Sequence, residues 1–244
     1  MRVAMFGYQT WGHRTLQALL GSGHDVALVV THPKSEHAYE KIWDDSVAGL
    51  AAEHGVPVLL RARPDDELVT ALKEAEPDII VANNWRTWIP PEIFRLPRHG
   101  TLNVHDSLLP AYAGFSPLIW ALINGEEEVG VTAHLMDEEL DAGDILLQRA
   151  VPVGPSDTAT DLFHRTVALI EPIVRDALTL IDTGRAVPVP PGPVQGELLP
   201  QTLAGGQPDR LDLAKPRTSS GWCAPSRTRI RTPSPSTGAS AYGC

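Results

Sequence analysis

The sequence predicts an α/β protein with a mostly parallel sheet flanked by helices, followed by an irregular C-terminal tail. Three observations lead there. Short runs with continuous apolar centres, such as DVALVVT at 25–31 and DIIVA at 78–82, read as strands buried on both faces. They alternate with amphipathic stretches of helical length, and parallel strands need such crossovers. From residue 187 the texture changes to PVPPGPVQG and periodicity stops, which marks a linker.

Taken in order, residues 2–8 form a buried strand, and the turn at Gly7 leads to a helix over 11–20 that Gly21 and Gly23 end. A second strand covers 25–31, a helix 44–54 closes at Gly55, and 56–60 is a short strand. Residues 65–75 form an amphipathic helix with Leu68, Leu72 and Ala75 inward. A strand at 78–82, a helical turn at 91–96, a strand at 101–105 and a helix at 116–123 closed by Gly125 complete the parallel part. Beyond Gly130 the pattern changes: strands at 131–136 and 145–153, joined by a polar loop, fit an antiparallel addition. One long amphipathic helix, 158–181, is expected to cover a sheet face. The expected organisation is therefore a catalytic domain over 1–186 and a linker with a disordered tail over 187–244.

Composition narrows the function. The formal charge is −10; residues 186–244 hold six Lys/Arg and three Asp/Glu, which leaves the body at −13. Such a surface repels polyphosphates, so nucleic acid is disfavoured as a partner. No apolar run approaches the ~18 residues of a membrane span. Residues 2–7 run straight into strand, with no pattern of a cleaved leader, so a cytoplasmic location is expected. Both cysteines, Cys223 and Cys244, lie in the tail, which argues against a disulfide framework or a cysteine-held metal in the body. The Gly7–Gly12 turn lacks G-x-G-x-x-G, so a dinucleotide is not expected.

The chemistry concentrates in NVHDSLLP at 103–110 and MDEELDAGD at 136–144. Asn103 and His105 stand two apart at the carboxyl end of a strand, where open α/β sheets bind ligands, and strand periodicity turns them to one face. A lone Asn-x-His is more often a structural hydrogen-bonded pair. Asp141, 36 residues after His105 in an Asp-Ala-Gly loop, is by itself an ordinary turn former. Beside His105 it would set the imidazole tautomer and favour the charged ring. An amide, an imidazole and a carboxylate can polarise a carbonyl and move a proton without a metal.

The stretch NVHDSLLPAYAGFSPLIWALINGEEEVGVTAHLMDEELDAGDILLQ resembles the folate-dependent formyltransferases over about residues 1–184, most densely over 101–148. The resemblance implies a Rossmann-like formyltransferase fold and 10-formyltetrahydrofolate as cosubstrate, with no metal. It places Asn103, His105 and Asp141 on the family's catalytic triad. It places Arg86, Thr87, Trp88 and Ile89 on one folate-side loop, and Met136, Asp137, Glu138, Glu139 and Leu140 on the other. Ser107, Leu109, Pro110, Gly114 and Pro117 fall on its active-site turn and helix entry. Asn103 and His105 would then donate to the formyl oxygen as it becomes an oxyanion. Asp141 would keep His105 able to carry a proton and relay one from the attacking amine. Ser107 has no base of its own and reads as a turn residue.

Some positions depart from the family. Asp106 follows the histidine where Pro or Gly is usual, and is read either as facing the amine or as solvent-exposed. Trp85 or Trp88 is placed either on the pterin or in the core. The segment 31–46 lacks the basic run expected of a tRNA enzyme. The expected acceptor is a small-molecule amine, with the opening MRVAMFGYQTWGHRTLQALL similar to siderophore enzymes that formylate ornithine or N-hydroxyornithine. Glu36, Asp44, Asp45 and Asp106 are candidates for its ammonium, against the plainer reading of a solvated charged face. Alternatives are a nucleotide-sugar N-formyltransferase, a formyltetrahydrofolate hydrolase, or a folate-binding protein without turnover. Self-association stays open. The family's Phe-x-Lys-Arg-x-x-x-Asp signature of a small C-terminal domain is missing from the tail. A chosen back-translation of residues 199–208 restores it one base later, so a second reading of 187–244 is a frameshifted remnant of that domain.

Overall fold

The computed structural model describes residues 1–35 and 45–192. The tail reading for 193–244, and Glu36 and Asp44 as ammonium candidates, lie outside the described residues.

The strands are β1 (Arg2–Gly7), β2 (Asp25–Thr31), β3 (Val58–Leu60), β4 (Ile79–Asn83), β5 (Thr101–His105), β6 (Glu128–Leu135) and β7 (Ile145–Pro152). They form one sheet in the order β3-β2-β1-β4-β5-β6-β7. β1 to β5 run parallel to one another, while β6 runs antiparallel to both β5 and β7. The helices are α1 (Gln9–Leu20), α2 (Val47–Glu53), α3 (Asp66–Ala75), α4 (Pro91–Phe94), α5 (Pro117–Asn124), α6 (Ala159–Val167) and α7 (Ile170–Asp182).

The period of two in the central strands divides the core. In β1, Val3 and Met5 join a cluster with Leu16 and Leu19 of α1 and Ile173 and Val174 of α7. Ala4 and Phe6 face the other way, onto Leu68 and Leu72 of α3 and Ile93 and Phe94 of α4. A sheet covered on both faces needs strands apolar throughout, which is what DVALVVT and DIIVA supply. α1 can come this close to β1 because Gly7 meets Gly12: a Cβ on Gly12 would stand 2.6 Å from the Gly7 carbonyl carbon.

Helix ends follow local chemistry. Asp65 accepts from Leu68 N at 2.8 Å and begins α3, and that bond, more than the Arg61 guanidinium, holds its carboxyl below the usual range. Ser46 caps α2 through Gly49 N at 3.0 Å, so the helix begins three residues later than the expected 44. The single helix expected over 158–181 is two. The break at Ala168–Leu169 puts Pro172 in the first turn of α7, where its missing N–H costs no helical bond. The expected linker is partly ordered, since Val189 exchanges both backbone hydrogen bonds with Ile145 at the free edge of β7. Among the described residues no helix is long and apolar enough to cross a membrane.

Candidate active site

β5 and β6 pair so that Asn103 faces His134 and His105 faces Thr132. Directly opposed side chains on one sheet face come within contact, and Asn103 Nδ2 lies 3.0 Å from His134 Nε2. His134 Nδ1 lies 3.1 Å from the Leu135 carbonyl, which can only accept. The ring proton therefore sits on Nδ1, Nε2 is a bare acceptor, and Asn103 must present its NH2 group there. Burial drives the His134 pKa down to about 4, against the opposite pull of Asp141, so the ring is neutral near pH 7.

After β6 the chain folds back over β5. Met136 N donates to Thr101 O at 2.8 Å, and Leu135 N to Asp144 O at 2.9 Å. Gly143 makes the return possible, since a Cβ there would stand 1.7 Å from the Leu135 oxygen. The return delivers Asp141 onto the Asn103 and His105 face. Its Oδ2 accepts from Gly114 N at 2.9 Å and stands 3.6 Å from His105 Nδ1. Its Oδ1 stands 3.5 Å from Asn103 Nδ2 and 3.7 Å from His134 Nε2. The two amide hydrogens of Asn103 thus serve two acceptors, His134 at short range and Asp141 at the limit of hydrogen bonding.

His105 Nε2 lies 3.0 Å from the Tyr112 carbonyl. Both ring nitrogens face acceptors, a carbonyl and a carboxylate. The neutral ring can donate to one of them, and the second bond is completed only when the ring takes up a proton.

The turn after His105 hangs on one hydroxyl. Thr132 Oγ1 donates to Ser107 O at 2.6 Å and accepts from Leu109 N at 3.1 Å and Gln148 Nε2 at 2.9 Å. Ser107 Oγ is turned to Ala111 O at 2.7 Å. Strain gathers around the same place. Gln9, Asn84, Tyr112 and Ser116, which follow β1, β4 and β5, all have φ between 53° and 59°, and Asp141 has φ 52°. Side chains seldom adopt this region, and such residues cluster where a ligand site over-determines the backbone.

A cavity of about 380 Å³ opens against this group. Its apolar walls include Trp85, Ile89, Phe115, Met136 and Leu140, and Asn103, His134 and Asp141 form its polar end. Arg86, Thr87, Trp88, Asp137 and Glu139 also line it. Of the residues expected at a folate site, the structure brings these together and leaves four elsewhere. Leu109 and Ser107 are buried in the turn network, Pro110 follows them away from the cavity, and Glu138 pairs with Arg95 at 2.9 Å on the surface. His105 lies behind the wall rather than on it. The tryptophans separate: Trp85 stacks on His32, with centroids 4.0 Å apart, and packs edge-on to Phe6, whereas Trp88 is 52% exposed. Arg86 is tethered by Gln9 at 3.0 Å and lies over the Tyr8 ring. Asp45 is exposed, while the carboxylate of Asp106 is enclosed rather than open to solvent.

Sequence reasoning placed Gly114 on the active-site turn and named Thr132 and His134 as parts of the motif, but gave none of the three a bonding role at this site. Their sequence signal was present in Gly130-Val-Thr132 and His134-x-Met136, but without strand register it had no partner. Among the described residues no group of three or more His, Cys, Asp or Glu side chains is arranged to hold a metal.

Comparison with known proteins points the same way. The profile of the family described as Formyl transferase matches residues 1–176. Methionyl-tRNA formyltransferase of Geobacter sulfurreducens is 37% identical over 190 residues, covering 77% of this chain and 60% of the relative. The enzyme of that name from Pelotomaculum thermopropionicum is 38% identical over 192 residues, covering 78% and 61%. The chain thus spans about 60% of the length of these curated relatives. Glycinamide ribonucleotide transformylase 1 from Symbiobacterium toebii superimposes with a TM-score of 0.64 at 27% identity, covering 77% of this chain and 90% of that one. The N-formyltransferase from Helicobacter canadensis, solved with folinic acid and dTDP-3-aminofucose, gives 0.64 at 20% identity, over 82% and 70%, and shows a shared fold.

Proposed function

This chain belongs to the formyl transferase family, and on that premise we propose that it moves a formyl group from 10-formyltetrahydrofolate to the amine of a small acceptor. The observation that carries the reading is the meeting of Asn103, His134 and Asp141 at one end of an apolar-walled cavity, with His105 behind Asp141 at 3.6 Å. The folate supplies an activated formyl group, and a flat ring system suits walls of Trp85, Ile89, Met136 and Leu140. The polar end then faces the reacting carbonyl.

Asn103 holds one amide hydrogen on His134, which fixes the plane of the amide. The other, only loosely held by Asp141, is the one to turn to the formyl oxygen as negative charge develops. A donor set in place beforehand contributes about 3 kcal/mol to the barrier. The Asp141 carboxylate stabilises a proton on His105 Nδ1, and the Tyr112 carbonyl anchors the far side of the ring. The proton released by the attacking amine thus has a place to go without a metal or a covalent enzyme intermediate. In this scheme His105 acts through Asp141, because its nitrogens face Tyr112 O and Asp141 rather than the cavity.

The acceptor proposed is an amino-acid amine such as ornithine or N-hydroxyornithine. In its favour are a body charge of −13 and a cavity arginine, Arg86, that is already engaged by Gln9. Specific observations favour a second reading, methionyl-tRNA as acceptor: the names of the relatives at 37% and 38% identity. None of the four proteins compared above is named as a siderophore enzyme, so that assignment rests on the opening residues alone. Incubation with 10-formyltetrahydrofolate and a panel of ornithine, N-hydroxyornithine, a nucleotide amino-sugar and aminoacylated tRNA, read by mass spectrometry, decides among these. Gain of one formyl group by the amino acids is expected. Formylation of the tRNA alone establishes the second reading, and formate release without any acceptor overturns both.

A further inference from the structure

Two groups of the site lean on one short piece of chain. The Tyr112 carbonyl lies 3.0 Å from His105 Nε2, and Gly114 N donates to Asp141 Oδ2 at 2.9 Å. Tyr112 stands there with φ 59°, a region that residues with a side chain adopt only when other contacts hold them. Those contacts lie at the far end of its ring. The Tyr112 hydroxyl donates to Glu126 Oε1 at 2.5 Å and accepts from Asn124 Nδ2 at 3.0 Å, so both of its roles are used. Burial, and after it the Glu126 carboxylate, holds the hydroxyl pKa above its ordinary range and keeps it a donor. Asn124 and Glu126 flank Gly125 at the end of α5. Gly125 N donates to Leu122 O at 3.2 Å and Glu126 N to Ala121 O at 3.0 Å, with Gly125 at φ 72°. These are the paired bonds of a Schellman ending, which fixes the fork that receives the hydroxyl. None of Tyr112, Asn124 and Glu126 lines the 380 Å³ cavity; Tyr112 and Glu126 line a separate one of about 70 Å³, with Asp106.

We propose that Tyr112 is a positioning residue for the transfer: its hydroxyl, held by Glu126 and Asn124, keeps the 112–114 backbone where one carbonyl steadies His105 and one N–H steadies Asp141. Its effect on rate rests on the formyl-transfer reading; its effect on the loop does not. Tyr112 acts through the other two groups and reaches no wall of the large cavity. A shift of about 1 Å in a catalytic constellation costs up to about 10²-fold in rate, and one charge-assisted hydrogen bond is on the scale of tenfold. The loss therefore falls on kcat, while the folate KM, set by cavity walls that Tyr112 does not touch, stays. A tyrosine bond with no part in the site would move stability and leave kcat alone. Asn124 and Glu126 are exposed, so truncating either removes a bond without opening the core.

The test uses the full chain. Tyr112→Phe keeps the ring and removes the hydroxyl. It is expected to lower kcat about tenfold with the folate KM within about twofold, and to quicken exchange of the Gly114 amide proton, followed by NMR, about fivefold or more. Glu126→Ala should lower kcat about threefold or more, and adding it to Tyr112→Phe should cost less than about twofold further, because the two changes break one bond. Glu126→Gln, which keeps an acceptor, should recover most of the Glu126→Ala loss. Unchanged Gly114 exchange in Tyr112→Phe overturns the proposal. So does an unchanged kcat where the parent transfers formyl, or full additivity in the double variant. If Tyr112→Phe does not fold, Glu126→Ala decides by the same kcat and exchange readouts, and no change in them overturns the proposal. A parent that formylates no amine, with faster Gly114 exchange in Tyr112→Phe, ends the transfer reading and leaves the clamp on the loop standing.

Discussion

Substitution of Asp141 by asparagine separates the roles of shape and charge. Asparagine is isosteric and tolerates the φ of 52° at this position. Its amide oxygen can keep the bond from Gly114 N, now 2.9 Å from Oδ2, so the loop should stay in place. Its NH2 group must then occupy the Oδ1 position, 3.5 Å from Asn103 Nδ2 and 3.7 Å from His134 Nε2. There it competes with Asn103 for the bare His134 nitrogen, and the charge beside His105 is gone. Exchanging one charge-assisted bond for a neutral one costs about 1 kcal/mol, which shifts Tm by about 2–4 °C in a domain of this size. The catalytic loss is far larger. A misdirected oxyanion donor accounts for about 10²–10³ and the lost proton relay for about 10² or more, and because the groups act together the expected fall in kcat is about 10³ rather than the product. Single-turnover formyl transfer by mass spectrometry, beside a thermal melt, reads both quantities. A folded Asp141→Asn protein that retains turnover within tenfold of the parent would refute the reasoning.

Other consequences can be measured directly. Thr132→Val removes the hydroxyl that serves Ser107 O, Leu109 N and Gln148 Nε2, so urea denaturation should show a loss of at least about 2 kcal/mol. An unchanged midpoint would mean that the turn does not depend on that hydroxyl. For His134 the folded pKa, about 4, lies below the unfolded value of 6.5. Its contribution to stability is therefore complete above pH 6.5 and is lost as the pH falls toward 4, on the order of 3 kcal/mol across that window. Denaturation midpoints from pH 7 to 4 should fall more steeply for the parent than for His134→Asn; parallel curves would contradict the assignment. Trp88→Ala, at a half-exposed cavity position, should weaken folate-analogue binding by about tenfold, on the scale of one stacked aromatic ring, and leave Tm within about 2 °C. Fluorescence titration and a melt test both halves of that statement.

Strand and helix identity was legible along the chain because it depends on local pattern. DVALVVT, DIIVA and the run at 101–105 are strands whatever surrounds them, and Asp65 announces the start of α3 by a bond to a residue three positions away. The same locality placed Asn103 and His105 on one face. The split between α6 and α7 at Ala168–Leu169 was missed because continuous amphipathicity outweighed the one residue without an N–H, Pro172 in the first turn of α7.

By itself the sequence determined which residues could carry the chemistry: an amide, an imidazole and a carboxylate on apolar-flanked segments, matched to a family motif. Only the tertiary structure decided how they meet. Antiparallel register, set by side-chain burial over the whole sheet, puts Asn103 opposite His134 rather than another residue of β6, and that choice dictates which way the amide faces. The close return at Gly143 then brings Asp141 back across β5, and the turn held by Thr132 encloses Asp106 beside a second cavity. Distances of this kind are sums over many contacts remote in the chain, so no short stretch of residues can encode them.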